Sequence, residues 1–365
     1  MIKTNLIAIA GLFLIGMSAC QKENALPKRT HETECLLKSL KLLPETGYMF
    51  GHHDATSYGI GWDGDADRSD VKSVCGAYPA VMSFDLGRIE LGNDNNLDNV
   101  PFERIKNEII SQYNRGGMSS LSWHMDNPVT GKDSWDASDT TVVTSILPGG
   151  AYHEKFTGWL DKAAEFINSV VTADGVKVPI LFRPWHEHTG NWFWWGQNLC
   201  SAEEYKALWK MTYEHMQKKG ANNLLYAYSA GSEPNDTTEY LERYPGDDII
   251  DFIGFDTYQF NRQDYVNTME KSLSILTEVG KAHQKPIAVT ETGFETIPDS
   301  VWWTETLMPV IDKYPITYVL VWRNAREREG HYFAPYPGQT SANNFVDFYH
   351  SPKTLFIGDN FTLYK

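Results

Sequence analysis

Eight short apolar runs, separated by segments with helical patterns, constrain the fold of this 365-residue chain more than any other feature. Each run is continuously apolar rather than alternating, as expected for strands that are covered on both faces of a parallel sheet. Eight such strands alternating with helices predict an α/β protein with a (β/α)8 TIM barrel, although a doubly wound open sheet uses the same alternation. The runs are residues 47–53, 79–87, 117–124, 178–187, 223–230, 251–258, 285–293 and 317–324.

The segments between the runs carry helix signals of their own. In residues 152–171, apolar side chains recur every three or four positions and form one stripe. The next helix is predicted to begin with a capping box, in which Ser201 is the N-cap and Glu204 occupies the third helical position. Further helices are expected over 102–115, 262–283 and 300–313, with a short one around 236–245.

The amino-terminal residues have the pattern of an export signal. Lys3 is followed by an apolar run over residues 6–17 and then by small residues, as in a secretory signal. The run is shorter than the ~20 residues that a membrane-spanning helix needs. The sequence "MSAC" (17–20) resembles a bacterial lipobox. That resemblance implies that Cys20 is lipidated and tethers the protein to a bacterial membrane, the outer one, without indicating on which side.

These patterns divide the chain into three parts. Residues 1–19 are predicted to be a lipoprotein signal peptide, residues 20–31 a polar tether, and residues 32–365 a single barrel domain. After Cys20, three cysteines remain, an odd number that permits at most one disulfide and has no metal-binding spacing. They are Cys35, Cys75 and Cys200.

Charge and composition narrow the classes of partner. The net charge is -15 and Lys and Arg do not cluster, which argues against nucleic-acid binding because that requires a basic stripe. Twelve tryptophans are present. Tryptophan stacks on flat apolar ligand faces but also fills cores, so the number alone is only a hint of ligand binding.

Polar side chains collect where the apolar runs end. In a (β/α)8 barrel the active site lies at the carboxyl ends of the strands. We therefore expect a site built from these residues: His52, His53, Asp85, His124, His186, Glu187, Asp256, Tyr258, Glu291, Trp322 and Arg323.

Two glutamates stand out within this group. Glu187 ends the fourth run and Glu291 the seventh, so in a closed barrel their carboxyl groups can face each other. A separation of about 5–5.5 Å is what retaining glycoside hydrolysis requires. Desolvation among tryptophans would raise the pKa of Glu187 and keep its proton available, whereas Arg183 and Tyr258 would hold Glu291 ionised as a nucleophile. Taken alone, Glu187 is equally consistent with a buried salt bridge to Arg183.

Four motifs make the chain resemble glycoside hydrolase family 26, whose members are mostly β-mannanases. They are "RPWHEHTGNWFWWG" (183–196), "GFDTYQF" (254–260), "TETGFE" (290–295) and "SWH" (122–124). The resemblance covers nearly all of residues 31–350. The clan that contains this family also places its two catalytic glutamates after strands four and seven.

The resemblance implies roles for ten residues. Glu187 would be the acid/base and Glu291 the nucleophile. His186 would help to hold the carboxylates and the sugar in position, while Arg183 and Tyr258 would hydrogen-bond the nucleophile. The other five would contact sugar: His124 and Asp256 in the subsite where cleavage starts, Trp192 and Trp322 around the cleavage point, and Trp135 as a further stacking surface.

The implied function is that of a retaining β-mannanase, of the mannan endo-1,4-β-mannosidase type. It would hydrolyse β-1,4-mannosidic bonds in mannan, galactomannan or glucomannan by double displacement, as a monomer and without a metal or organic cofactor. Two alternatives stay open: the same mechanism on mixed-linkage β-glucan or β-xylan, and a non-catalytic carbohydrate-binding lipoprotein. "HEH" (186–188) could also indicate zinc, but neighbouring residues on a strand point to opposite faces and a helical H-E-x-x-H is absent.

Overall fold

A computed structural model describes residues 28–365. Eight parallel strands pair in chain order, and the last pairs with the first, so the sheet closes into a barrel. This confirms the predicted (β/α)8 fold and excludes the open sheet. The strands are β1 (Tyr48–His53), β2 (Val81–Asp85), β3 (Met118–Trp123), β4 (Ile180–Pro184), β5 (Leu224–Ala230), β6 (Phe252–Tyr258), β7 (Ile287–Gly293) and β8 (Ile316–Val321).

Most helices cover the outside of the barrel between the strands, whereas the first helix precedes β1 and packs at the amino-terminal end of the barrel. In chain order they are α1 (His31–Leu42), α2 (Asp70–Cys75), α3 (Phe102–Asn114), α4 (Val142–Ile146), α5 (His153–Ser169), α6 (Ala202–Lys218), α7 (Thr237–Leu241), α8 (Arg262–His283), α9 (Met308–Ile311) and α10 (Ala342–Tyr349). A small hairpin joins Tyr58–Gly59 to Trp62–Asp63, and the strand Thr354–Leu355 adds to β1. Within residues 28–365, no helix is long and apolar enough to cross a membrane.

Two helix predictions can be compared in detail with the structure. The capping box of α6 is present, because Glu204 N–H donates to Ser201 Oγ and Ser201 N–H donates to the Glu204 carboxylate. The helix predicted over 300–313 is instead a π-helical turn, Trp303–Leu307, followed by the short α9. Proline has no N–H, so Pro309 cannot bond to the carbonyl four residues earlier. That carbonyl accepts a hydrogen bond from the side chain of Arg262.

The chain joins the barrel at the amino-terminal ends of the strands. Thr30 caps α1, and its N–H donates to the carbonyl of Asn222, just before β5. Arg29 pairs with Asp251 at 2.5 Å. Residues 29–31, assigned to the tether from sequence, thus belong to the folded domain. The predicted signal peptide and Cys20 lie outside the described residues.

More of the tryptophans fill the core than the sequence alone indicated. Seven tryptophan side chains among the described residues are fully buried: Trp123, Trp185, Trp194, Trp195, Trp209, Trp302 and Trp303. The three cysteines of the described domain are all free thiols, so none of the possible disulfides forms there.

Candidate active site

Glu187 lies in a tight turn rather than at the end of a strand. Strand β4 ends at Pro184, and the backbone at both Trp185 and Glu187 is left-handed, with φ of 56° and 52°. Such conformations cost energy in residues other than glycine and persist where the surrounding structure imposes them. Here the N–H of Glu187 donates to the carbonyl of Ser229 on β5, which holds the turn against the barrel.

Trp192 holds the carboxylate of Glu187. Its indole N–H donates to Glu187 Oε2 at 2.7 Å. The indole ring lies directly on Gly190, where a Cβ atom would come within 2.2 Å of the ring. The glycine of the "HTGNW" segment therefore makes room for the ring. Burial, reinforced by the charges of Asp256 and Glu291, raises the pKa of Glu187 well above its usual range, as the sequence predicted.

Glu291 sits within β7 and accepts two hydrogen bonds. Arg183 on β4 donates to one carboxylate oxygen, and the hydroxyl of Tyr258 on β6 donates to the other at 2.8 Å. Burial raises the pKa of Glu291 to about 7, although Arg183 and Tyr258 both lower it. The two predicted donors are therefore in place, but desolvation outweighs them.

The two carboxyl groups face each other. One oxygen from each of Glu187, Asp256 and Glu291 lies within 4.8 Å of the other two. Inverting glycosidases separate their carboxyl groups by about 6.5–9.5 Å to admit a water, whereas retaining enzymes hold them at about 5–5.5 Å. The arrangement matches the retaining geometry.

Asp256 anchors Arg183. Its carboxylate accepts hydrogen bonds from Arg183 at 2.8 Å, from the hydroxyl of Ser229 at 3.1 Å and from that of Thr290 at 2.6 Å. Both oxygens are thus bonded to protein groups and hold the guanidinium against Glu291. The contact of Asp256 with sugar that the family resemblance implied stays a prediction.

His124 and His186 form a second polar group beside the glutamates. Asp85 accepts from Nδ1 of His124 at 2.7 Å, and the Nε2 atoms of the two histidines are 3.3 Å apart. Burial alone would lower the pKa of His124, but Asp85 outweighs it and the net shift is upward. The pKa of His186 is lowered by burial and by Arg183. The pair therefore combines a His124 that favours the charged form with a neutral His186.

An aromatic wall adjoins the two histidines. Trp135 is 49% exposed and stacks on His124 with ring centres 5.2 Å apart. Trp322 stacks on His53 at 4.1 Å and meets His124 edge-on. Phe193, which no sequence motif singled out, packs against both His124 and His186. Phe193 stacks on Trp195 two positions further along the chain. Alternation gives no usable signal in the "WFWW" run, because Trp192 is 39% exposed and Trp194 is fully buried.

Among residues 28–365, two groups of side chains are close enough together to ligate a metal ion. One is Glu187, Asp256 and Glu291, and the other is His53, Asp54 and Asp98. Each already contains a protein cation. Arg183 pairs with Asp256 and Glu291, and Arg323 lies 3.1 Å from Asp98. The absence of a metal requirement stays a prediction.

Comparison with known proteins places the chain in a family. The family model described as Glycosyl hydrolase family 26 matches residues 25–338. The chain belongs to this family. As a family 26 member it is a glycoside hydrolase, which agrees with the motifs and with the closed barrel.

Family 26 structures share the fold over almost the whole domain. A β-mannanase from Bacteroides ovatus, BoMan26A, is 62% identical with a TM-score of 0.92, over 92% of this chain and 98% of that one. A modular endo-β-1,4-mannanase from Cellulomonas fimi is 32% identical with a TM-score of 0.84, over 93% and 78%.

Two curated relatives have the same printed name, mannan endo-1,4-β-mannosidase. The one from Bifidobacterium adolescentis is 34% identical over 318 residues, which are 81% of this chain but only 31% of that protein. This chain therefore matches about a third of that relative's length. The one from Bacillus subtilis (strain 168) is 26% identical over 344 residues, covering 89% and 90%.

Proposed function

We propose that this family 26 member is a retaining β-mannanase of the mannan endo-1,4-β-mannosidase type, acting on β-1,4-mannosidic bonds in mannan, galactomannan or glucomannan. The observation that carries the proposal is the pair of carboxyl groups, Glu187 and Glu291, with oxygens within 4.8 Å of each other at the carboxyl ends of the strands. The names of the relatives support mannan as the substrate.

In the first step, Glu291 attacks the anomeric carbon while Glu187 gives its proton to the departing glycosidic oxygen. The carbon–oxygen bond to the leaving chain breaks, and an ester bond between Glu291 and the sugar forms. The raised pKa of Glu187 keeps the proton in place until it is needed. Arg183 and Tyr258 hold both oxygens of Glu291, so the attacking carboxylate is oriented before substrate arrives.

In the second step, Glu187 acts as a base. It removes a proton from a water molecule, whose oxygen attacks the anomeric carbon and breaks the ester to Glu291. Two displacements at one carbon leave its configuration unchanged. Trp192, which donates to Glu187, helps to keep the carboxylate directed at the bond in both steps.

The sugar that is attacked is proposed to lie against His124, His186 and Trp322. These side chains meet next to the two glutamates, and Trp135 extends the surface through its stack on His124. Asp85 holds His124 in a fixed orientation through its Nδ1 atom.

A substrate panel tests the activity and its alternatives. Purified protein is incubated with locust bean gum, barley β-glucan and xylan, and the reducing sugar released is measured. We expect release from locust bean gum above the other two. NMR of the first product from manno-oligosaccharides should show the β-anomer before mutarotation. Greater release from β-glucan or xylan would contradict the mannan assignment, and no release from any of them would favour a binding protein. EDTA is expected to leave the rate unchanged.

We also propose that the protein is exported as a monomer and anchored by lipid at Cys20. Support comes from the lipobox-like "MSAC" and from the entry of the chain at the amino-terminal ends of the strands, opposite the glutamates. Cys20 and Lys28 are eight residue steps apart (28 minus 20), which span at most about 30 Å, so the cleft would face away from the membrane. Expression of Cys20→Ser should move the protein from the membrane fraction to the soluble fraction. Sedimentation should give the mass of one chain.

A further inference from the structure

A cavity of about 470 Å³ adjoins the acid/base glutamate. Glu187 and Trp192 line it, whereas Glu291 does not. The walls come from the loops that follow β4, β5 and β6. The proton of Glu187 goes to the oxygen of the leaving chain. Tyr258, which donates to the nucleophile Glu291, also lines this cavity, whereas His124, His186 and Trp322 do not. The cavity therefore lies beside Glu187 and away from the surface proposed for the attacked sugar, where the departing sugars must be.

The rim of this cavity holds an aromatic side chain with no structural role. Phe260 is 96% exposed. It immediately precedes Asn261, the N-cap of α8. An apolar residue there normally packs against the fourth residue of the helix, here the buried Tyr265. Phe260 is so exposed that it buries almost nothing against Tyr265.

The backbone on both sides of Phe260 is firmly held. Gln259 donates its N–H to the carbonyl of Gly293 and accepts from the indole of Trp302, both at 2.8 Å. Asn261 accepts from two N–H groups of the first turn of α8. The phenyl ring is therefore presented to solvent from a fixed position. Exposed apolar surface rimmed by polar residues commonly marks a ligand-binding groove, and Phe260 lines this cavity together with the partly exposed Trp192.

A carboxylate on another wall is also fixed in place. Glu233 Oε2 accepts from the hydroxyl of Thr189 at 2.6 Å, and that hydroxyl oxygen accepts from the N–H of Gly231. A Cβ atom on Gly231 would come within 2.2 Å of the Glu233 carboxylate. Glycine at this position lets the carboxylate stay where it is. The carboxylate is thus positioned to accept hydrogen bonds from sugar hydroxyls.

We propose that Phe260 and Glu233 bind the second sugar on the leaving-group side of the cleaved bond, a site that rests on the proposed function. The first leaving sugar lies beside Trp192, because Trp192 touches the acid/base directly. Phe260 stands farther out, on the rim. The apolar face of the second sugar covers the phenyl ring, and its hydroxyls donate to Glu233. Asp264, on the same cavity, adds a further acceptor.

The test compares substrates that do and do not reach Phe260. For Phe260→Ala, kcat/KM on mannohexaose should fall about tenfold. This is the change expected when one face of a phenyl ring no longer buries apolar surface against the sugar. The kcat at saturation should stay within twofold. An aryl β-mannobioside, whose leaving group is a single ring, should be cleaved as by the wild type. Phe260→Tyr keeps the ring face and should restore activity on mannohexaose.

Cut positions give a second measurement. On mannotetraose labelled with ¹⁸O at the reducing end, Phe260→Ala should make fewer of the cuts that release two or more sugars as the leaving group. Leu42→Ala, an exposed side chain at the other end of the barrel, is the control and should change nothing.

The outcomes separate this site from the proposed function. A wild-type enzyme that is inactive on mannohexaose would contradict the proposed function and this site with it. An active wild type with unchanged Phe260→Ala kinetics would overturn the site alone. Equal losses on mannohexaose and on the aryl mannobioside would also overturn it, because the ring would then act on the reaction centre rather than on a second sugar.

Discussion

The two ends of the barrel interior are built from the same strands but have opposite chemistry. At the amino-terminal end, α1 covers the barrel, and its Leu36 and Leu40 pack with residues such as Leu181 and Phe252 in one buried apolar cluster. Two to four residues further along the same strands, the interior is charged. Leu181 is followed by Arg183, and Phe252 by Asp256.

The residues that stabilise the fold and the residues proposed to catalyse the reaction therefore lie at opposite ends of the same strands. Apolar burial at one end stabilises the fold without strain. The other end buries Glu187 and Glu291 with raised pKa values and holds Trp185 and Glu187 in left-handed backbone conformations, all of which cost stability. Proteins commonly accept such costs where activity requires them. Truncating a side chain at the apolar end should therefore lower stability without changing activity. Neutralising the acid/base glutamate at the charged end should lower activity and raise stability.

The largest effect is expected at the nucleophile. Glu291→Ala removes the atom that forms the covalent intermediate, and kcat on mannan should fall on the order of 10⁴- to 10⁶-fold. Initial rates with purified enzyme measure this, and circular dichroism should show an intact fold. Activity near that of the wild type would contradict the proposed mechanism.

Glu187→Gln should lower activity and raise stability together. Loss of the acid/base is expected to cost about 10²–10⁴-fold in kcat/KM on mannan, and less on aryl mannosides, whose leaving group needs less protonation. Because the pKa of Glu187 is raised in the fold, its contribution to stability falls as pH rises above the unfolded value. The neutral amide of glutamine does not ionise, so the variant has no such loss of stability at high pH.

The stability half of that prediction is checked by melting curves. The Tm of Glu187→Gln should exceed that of the wild type by about 2 °C or more near pH 7. The difference should shrink below about pH 4, where the wild-type carboxyl is protonated in both states. A lower Tm of the variant at neutral pH would contradict the claim that burial of Glu187 costs stability.

Leu40→Ala tests the opposite end. Leu40 is fully buried in the apolar cluster, so its truncation should lower the free energy of unfolding by about 2–5 kcal/mol. The kcat at 25 °C should not change. Leu42→Ala, the same substitution two residues on at an exposed site, is the matched control and should cost less than about 0.5 kcal/mol. Urea denaturation of both variants provides the comparison.

Tyr258→Phe should have the smallest effect of the substitutions at the charged end. It removes one donor to Glu291, at an expected cost of about 10- to 100-fold in kcat/KM. Because that hydrogen bond lowers the pKa of Glu291, its loss should raise the pKa. Glu291 reacts when ionised, so the acid limb of the pH–rate profile should move to higher pH. A shift to lower pH would contradict this role of Tyr258.

Local patterns were sufficient to predict the eight barrel strands and the four longest helices, α3, α5, α6 and α8, but not the form of the chain over 300–313. Continuous apolar runs correspond to all eight barrel strands, and the Ser201 capping box lies where α6 begins. These features depend on residues close together in the chain. The resemblance to family 26 and the meeting of Glu187 with Glu291 also followed from sequence, because closing the barrel brings the ends of β4 and β7 to one face.

Side-chain directions near the site could not be read in the same way. Trp192 is 39% exposed, whereas Trp194 and Trp195 are fully buried. The turn at Glu187, which redirects the chain after β4, decides which indoles reach the cleft. The pKa of Glu291 was likewise beyond the sequence, because desolvation by the whole barrel outweighs the two donors that could be identified.

Patterns along the chain are enough to identify the barrel, its family and the two glutamates, since periodicity and motif are properties of neighbouring residues. The folded structure is needed to establish how deeply those glutamates are buried, which aromatic rings face the cleft, and that Phe260 and Glu233 share one cavity. These depend on contacts between loops that are far apart in the chain, where the energy of packing rather than local preference selects the arrangement.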